Sequence, residues 1–287
     1  MHIRQDGAKP LPLPCHRMVD PHGPGAIDGI PLTAKPLREL APPRFNTVAE
    51  ERLHRKQRLA GALRIFGRLG FGEGVAGHIT ARDPEFPDHF WVNPFALSFN
   101  RVRVSDLLLV NHAGEVVIGD RPVNRAAFVL HAAIHARRPE VIAAAHAHSP
   151  YGKAFASLGK RLDPITQDCC IFFNDHQLIQ ADGGKVVLEE ASGRTFAGHF
   201  LTGKAAIHQN HGLFTVGESV DAAAFWFIAM ERCCQSQLLA EAAGTPALIR
   251  QEWATYTHSN IGTAQAGWFG FQSFWEDILH SDPDLLE

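Results

Sequence analysis

Little in this sequence suits a membrane, an oxidising compartment or a nucleic acid. No run reaches about 18 consecutive apolar residues, the length a membrane-crossing helix needs. The opening MHIRQDGAKPLPLP lacks the apolar centre of a secretory signal. The expected location is the cytoplasm, with no membrane partner. Cysteine is scarce and odd in number: Cys15, Cys169, Cys170, Cys233 and Cys234 include two adjacent pairs, a poor disulfide framework without the CxxC spacing of a zinc knuckle. They read as reduced thiols in packing roles. Charged residues are only 20% of the chain and sum to a net −3, so no basic surface is offered to nucleic acid, and none is expected as a partner.

What the chain does have is apolar content, 45% of 287 residues, enough to bury a sizeable core without staples. It also has 17 histidines. Neutral imidazole is the commonest side-chain ligand for borderline metals, so histidine spacing is where chemistry is sought.

Residues 1–45 are rich in proline and show neither strand nor helix periodicity, which predicts an extended arm. The body is expected over 46–250. Helices are predicted over Val48 to Leu69, Asn124 to Arg138, Gly152 to Leu158 and Val220 to Ala243, the last capped by Ser219 and ended by Gly244. Short β-type runs lie in HITAR, FWVNPF and LLLVNHAGEVVIG, and VIAAAHAHSP reads as a buried strand. The stretch 160–200 is less regular, with one strand expected in TQDCCIFFNDHQLI, and KAAIHQNHGLFTVG reads as strand, turn, strand. Residues 251–287 form an extension containing Trp268, Phe269, Phe271, Phe274 and Trp275, expected to pack on the body or on a neighbouring subunit.

His146 and His148 flank Ala147 at the end of the buried strand, where residues two apart share a face and can converge on one ion. An isolated HxH is as readily two surface histidines. Context adds a third imidazole, His211 in Asn210-His211-Gly212, between two strands, with Gly212 supplying the freedom for the turn. His131 and His135 lie four apart on one helix face.

With these motifs the chain resembles the class II aldolase/adducin family, from about Leu53 to Gly244, through GHITARDPE, WVNPF, SDLLLV, HAAIHARRPEV, HAHSPYG, QDCC, NHGLFTVG and AAAFWFIAMERC. The resemblance implies a three-layer α/β/α sandwich around a mainly antiparallel sheet, and a homotetramer. It implies a divalent metal on His146, His148 and His211, zinc before manganese or iron, with open positions for substrate. The family's catalytic Glu, four residues ahead of the histidine matched by His131, is Ala127 here. Its phosphate-binding groups are also changed: Gly77-His78, Asn93-Pro94-Phe95 and Arg125-Ala126 stand in their places. A carboxylate-bearing substrate without phosphate is therefore expected, with His78, Asn93 and Arg125 as its contacts. His131 and Tyr151 are the candidate catalytic groups, and Asp168, Asp175 or His176 could replace the lost carboxylate.

The function these features imply is a metal-dependent lyase acting on a small hydroxy or oxo acid through a metal-stabilised enolate. Decarboxylation is preferred to aldol cleavage, because loss of carbon dioxide needs an electron sink but no base. One alternative is a non-heme Fe(II) oxygenase of a 2-oxo acid on the same fold. Another is a non-enzymatic, adducin-like interaction protein, for which three converging ligands would have no purpose.

Overall fold

The computed structural model describes residues 26–27, 30–31 and 41–287. The expected arm over 1–45 and Cys15 lie mostly outside these. Within the first stretch, β1 (Ala26–Ile27) pairs antiparallel with β2 (Ile30–Pro31).

From Pro42 onward the chain is organised by one eight-stranded sheet. In chain order its strands are β3 (His78–Arg82), β4 (His89–Val92), β5 (Leu108–Asn111), β6 (Val116–Ile118), β7 (Ala143–Ala147), β8 (His176–Ile179), β9 (Ala205–His208) and β10 (Gly212–Gly217). Their spatial order is β6-β5-β4-β3-β7-β10-β9-β8, antiparallel throughout except for the parallel β8/β9 pair at one edge.

Alternation along the strands divides the interior into two cores, because successive side chains point to opposite faces. Ile79, Ala81, Ala143, Ala145, Ala147, Ile207 and Leu213 pack on one face against α1 (Val48–Arg68), α3 (Pro150–Ala156) and α5 (Val220–Ala243), with α7 (Ala264–Ser281) outside them on α5 and α1. Ala144, Ala206, Phe214 and Val216 pack on the other against α2 (Arg125–Arg137) and α4 (Glu190–His199). The result is the expected three-layer sandwich. The alanine-rich β7 is buried on both faces, which lets helices approach the centre of the sheet closely.

Local signals account for several helix ends. Thr47 and Glu50 form a reciprocal capping box at the start of α1, and Ser219 accepts from the Ala222 amide to open α5. Two segments became helical against their local signals. The α4 segment carries Ser192, Gly193 and Gly198, poor helix formers, yet it folds because Phe196 and Ala197 are buried. The aromatic tail forms α6 (Gln251–Ile261) and α7, with Phe271 fully buried where α7 packs on α5 and α1. No described helix is long and apolar enough to cross a membrane.

Candidate metal centre

The strand register assembles the site. His146 on β7 lies opposite His78 of β3 on one side and Phe214 of β10 on the other. Its ring stacks on Phe214, centroids 4.0 Å apart and planes 9° from parallel. Its Nδ1–H donates to the Leu213 carbonyl at 2.8 Å, leaving the Nε2 lone pair free. His148 follows two residues later, and His211 comes from the turn between β9 and β10.

One ligand atom from each of His146, His148 and His211 lies within 4.8 Å of the others. His148 Nε2 and His211 Nε2 are 3.1 Å apart. Two imidazole nitrogens on one ion, each bonded at about 2.0–2.1 Å, stand roughly 3–3.4 Å apart, so His148 and His211 already have the spacing of a chelating pair. Burial lowers the pKa of all three. It acts most on His146, and with the adjacent His208 and His148 it pushes His211 down to about 3. Neutral imidazole is the form a metal requires.

The turn corrects one detail of the sequence reading. Gly212 is the first residue of β10 and is not in the left-handed region, whereas Asn210 is, at φ 57°. Asparagine tolerates that conformation better than other side chains, so Asn210, not Gly212, takes the turn.

The triad opens into a cavity of about 660 Å³. Its wall is largely apolar, with Val75, Phe95, Leu130, Val186, Val187 and Leu188, and it carries two cations, Lys153 and Lys185. Lys153 pairs with Glu73, and Lys185 Nζ donates to the Ser192 hydroxyl at 3.4 Å. No aspartate or glutamate lines the cavity among the described residues.

The other candidates are dispersed. His78 lines the cavity, buried, with neither ring nitrogen hydrogen-bonded, and its ring is 4.0 Å from that of His131. His131 is fully buried behind it. The Thr80 hydroxyl bridges His131 Nδ1 and His135 Nε2, at 2.8 Å each, which ties the two imidazoles four apart on α2 to β3. Asn93 accepts from the Ile79 amide and braces β3 rather than lining the cavity. Arg125 is exposed at the start of α2 and Tyr151 packs against the α5-side core, and neither lines the cavity. Asp175 pairs with Lys204 and His258, His176 binds the Phe172 carbonyl, and these, with Asp168, lie outside the cavity wall.

Sequence reasoning missed His208, Lys153 and Lys185. His208 stands three residues before His211, and a lysine five residues beyond His148 was a readable sign of a cation near the ligands.

Comparison with known proteins agrees with this geometry. Residues 57–238 match the model of the Class II Aldolase and Adducin N-terminal domain. The chain is 46% identical over 246 residues to Decarboxylase NovR of Streptomyces niveus, covering 85% of this chain and 91% of that protein. It is also 46% identical to the 4-hydroxy-3-prenylphenylpyruvate oxygenase/4-hydroxy-3-prenylbenzoate synthase of Streptomyces roseochromogenus subsp. oscitans, over 85% of this chain and 88% of that one. Among solved structures, the L-fuculose 1-phosphate aldolase from Glaciozyma antarctica PI12 superposes with a TM-score of 0.80 at 46% identity, over 86% of this chain and 97% of that one. A shared fold, a histidine triad at one end of its sheet and a family match over most of the body lead to one conclusion: this chain belongs to the class II aldolase/adducin family.

Proposed function

We propose that this protein is a metal-dependent carbon–carbon lyase that decarboxylates a small, non-phosphorylated hydroxy or oxo acid. The observation that carries this reading is a converging histidine triad in a cavity whose described wall holds no carboxylate. Aldol cleavage needs a base to deprotonate an alcohol, whereas loss of carbon dioxide does not. The name of one relative, a decarboxylase, supports it.

A divalent ion on His146, His148 and His211 would act as a Lewis acid toward adjacent substrate oxygens. Zinc is expected, and manganese or iron suits the same donors. Lys153 and Lys185 offer positive charge to a carboxylate, and the apolar wall excludes water and accepts an apolar substituent. In a 3-oxo acid the bonding pair left on the carbon when carbon dioxide departs is drawn into the carbonyl beyond that carbon as an enolate, and a proton must then be delivered to the carbon. His78, unpartnered at the cavity wall, is placed to pass that proton, with His131 against its ring. Arg125 and Tyr151 belong to the proposed machinery only if assembly brings them to a cavity. Leu239, Leu248, Trp253 and Tyr256, each more than half exposed, supply apolar surface for such assembly, which we take to be a homotetramer.

A second reading, an Fe(II) oxygenase acting on a 2-oxo acid, is favoured by the oxygenase relative. Elemental analysis of protein purified without added metal, followed by gas measurements with candidate acids, separates the two. Zinc or manganese with anaerobic carbon dioxide release supports the lyase. Iron with oxygen uptake supports the oxygenase, and a metal-free, inactive protein would sink both.

A further inference from the structure

The α5 helix carries a fully buried carboxylate, Glu231, which has no cationic partner among the described residues. Its oxygens are taken up by one short stretch of chain. Oε1 accepts from the Tyr151 amide at 2.8 Å, while Oε2 accepts from the Gly152 amide at 2.6 Å and from the Ser149 hydroxyl. Ser149 is the N-cap residue of α3, yet its side chain makes no capping bond of its own, because its hydroxyl is given to Glu231. The carboxylate from α5 therefore caps a helix in another part of the chain, where the free amides and the helix dipole favour a negative charge.

The stretch it holds begins at the residue after His148 and contains Lys153 one turn on. Gly152 makes the approach possible. A Cβ there would stand 2.8 Å from Glu231 Oε2 and 2.7 Å from Leu213 Cδ1, and Leu213 is the residue whose carbonyl orients His146. One buried carboxylate thus ties the exit of the ligand-bearing strand to α5, at the point where Gly152 packs close to Leu213.

We propose that Glu231 is a positioning residue for the metal centre, fixing the backbone after His148 so that this imidazole meets the ion from the right direction. A buried carboxylate is costly to desolvate, and an apolar side chain would fill the same space at lower cost. What the carboxylate adds is three directed hydrogen bonds. The inference rests on the reading of His146, His148 and His211 as metal ligands.

The test is competition of the whole protein against a chromophoric chelator for Zn²⁺, with melting of the metal-free forms followed in parallel. Glu231→Gln keeps the shape but turns an NH₂ toward amide donors. It should weaken Zn²⁺ binding roughly 10- to 100-fold, the usual loss when a support behind a ligand is removed. The visible absorption of its Co²⁺ form should also shift from that of the parent. Ser149→Ala removes one bond of three and should weaken binding several-fold, which serves if Glu231→Gln does not fold. Ile278→Ala in α7 controls for general destabilisation: it should lower the melting temperature while leaving Zn²⁺ affinity unchanged. If Glu231→Gln and Ser149→Ala melt lower but bind Zn²⁺ as the parent does, Glu231 is only a helix cap and the proposal is overturned. If the parent itself binds no Zn²⁺ or Co²⁺, the ligand assignment fails first and the proposal falls with it.

Discussion

His208 Nδ1 stands 3.1 Å from His211 Nδ1, and the proton between them belongs to His211. The Nε2–H of His208 is committed to the Ala181 carbonyl at 2.9 Å, which leaves its Nδ1 as an acceptor. His211 must then donate from Nδ1, and its Nε2 lone pair is presented toward His148. A backbone carbonyl does the same for His146, so two of the three histidines are held by outside groups in the tautomer that leaves Nε2 open to a metal.

His208→Ala should therefore lower Zn²⁺ affinity by about 10- to 100-fold while all three ligands remain. Competition titration against a chelator reads this directly. An unchanged affinity would mean that His211 needs no help to present Nε2.

Replacing His146, His148 or His211 by Ala should each remove most bound metal, since two ligands replace three. Their stability costs should differ. His146 is buried and stacked on Phe214, so its loss also leaves a cavity, whereas His148 is only half-buried. Metal analysis and melting curves of the three variants together check both statements, and full occupancy in any one removes that residue from the site.

Substrate charge should be read by Lys153 rather than by Arg125, because Lys153 lines the cavity and Arg125 does not. Lys153→Ala should raise KM for a carboxylate substrate by up to about tenfold, a loss of roughly 1 kcal/mol as suits a part-exposed cation, with kcat little changed. Arg125→Ala should change kcat/KM less than about twofold. The reverse ranking would place Arg125 at a cavity, through a neighbouring subunit.

Stability of the metal-free protein should fall with acid below the ordinary histidine range. Burial holds His135 down at about 3, so between that value and about 6.5 the unfolded chain takes up a proton there that the folded chain refuses. Its contribution is complete above about 6.5 and declines by about 1.4 kcal/mol for each pH unit below. Urea unfolding from pH 7 to 4 should show this slope, and His135→Gln should make it shallower by about one proton. An identical slope in both proteins would show that His135 titrates normally.

Ketose 1-phosphates should not be cleaved, even by Ala127→Glu, although one relative is named for such a reaction. One restored carboxylate cannot rebuild phosphate contacts where His78, Pro94 and Arg125 stand. Appreciable cleavage by the variant alone would show that the pocket still accepts a phosphate.

By itself the sequence determined the parts whose signals are local. Ser219 and Gly244 bound α5 because caps act within a turn, and β7 with its HxH was legible because strand alternation places His146 and His148 on one side. The family motifs linked the third histidine of the triad across the 63 residues from His148 to His211. Tertiary structure decided what depends on distant partners. Helix α4 exists because Phe196 finds a core against α2, which no propensity within its glycine-bearing segment could foretell. His131 and His135, equally able on a helix face to bind an ion, were given instead to the Thr80 hydroxyl. The cations that line the cavity are Lys153 and Lys185, and Glu231 became a cap for α3. Each of these turns on which side chain another element delivers to within about 3 Å, the range at which hydrogen bonds and ligation act, and spacing along a chain does not encode that distance.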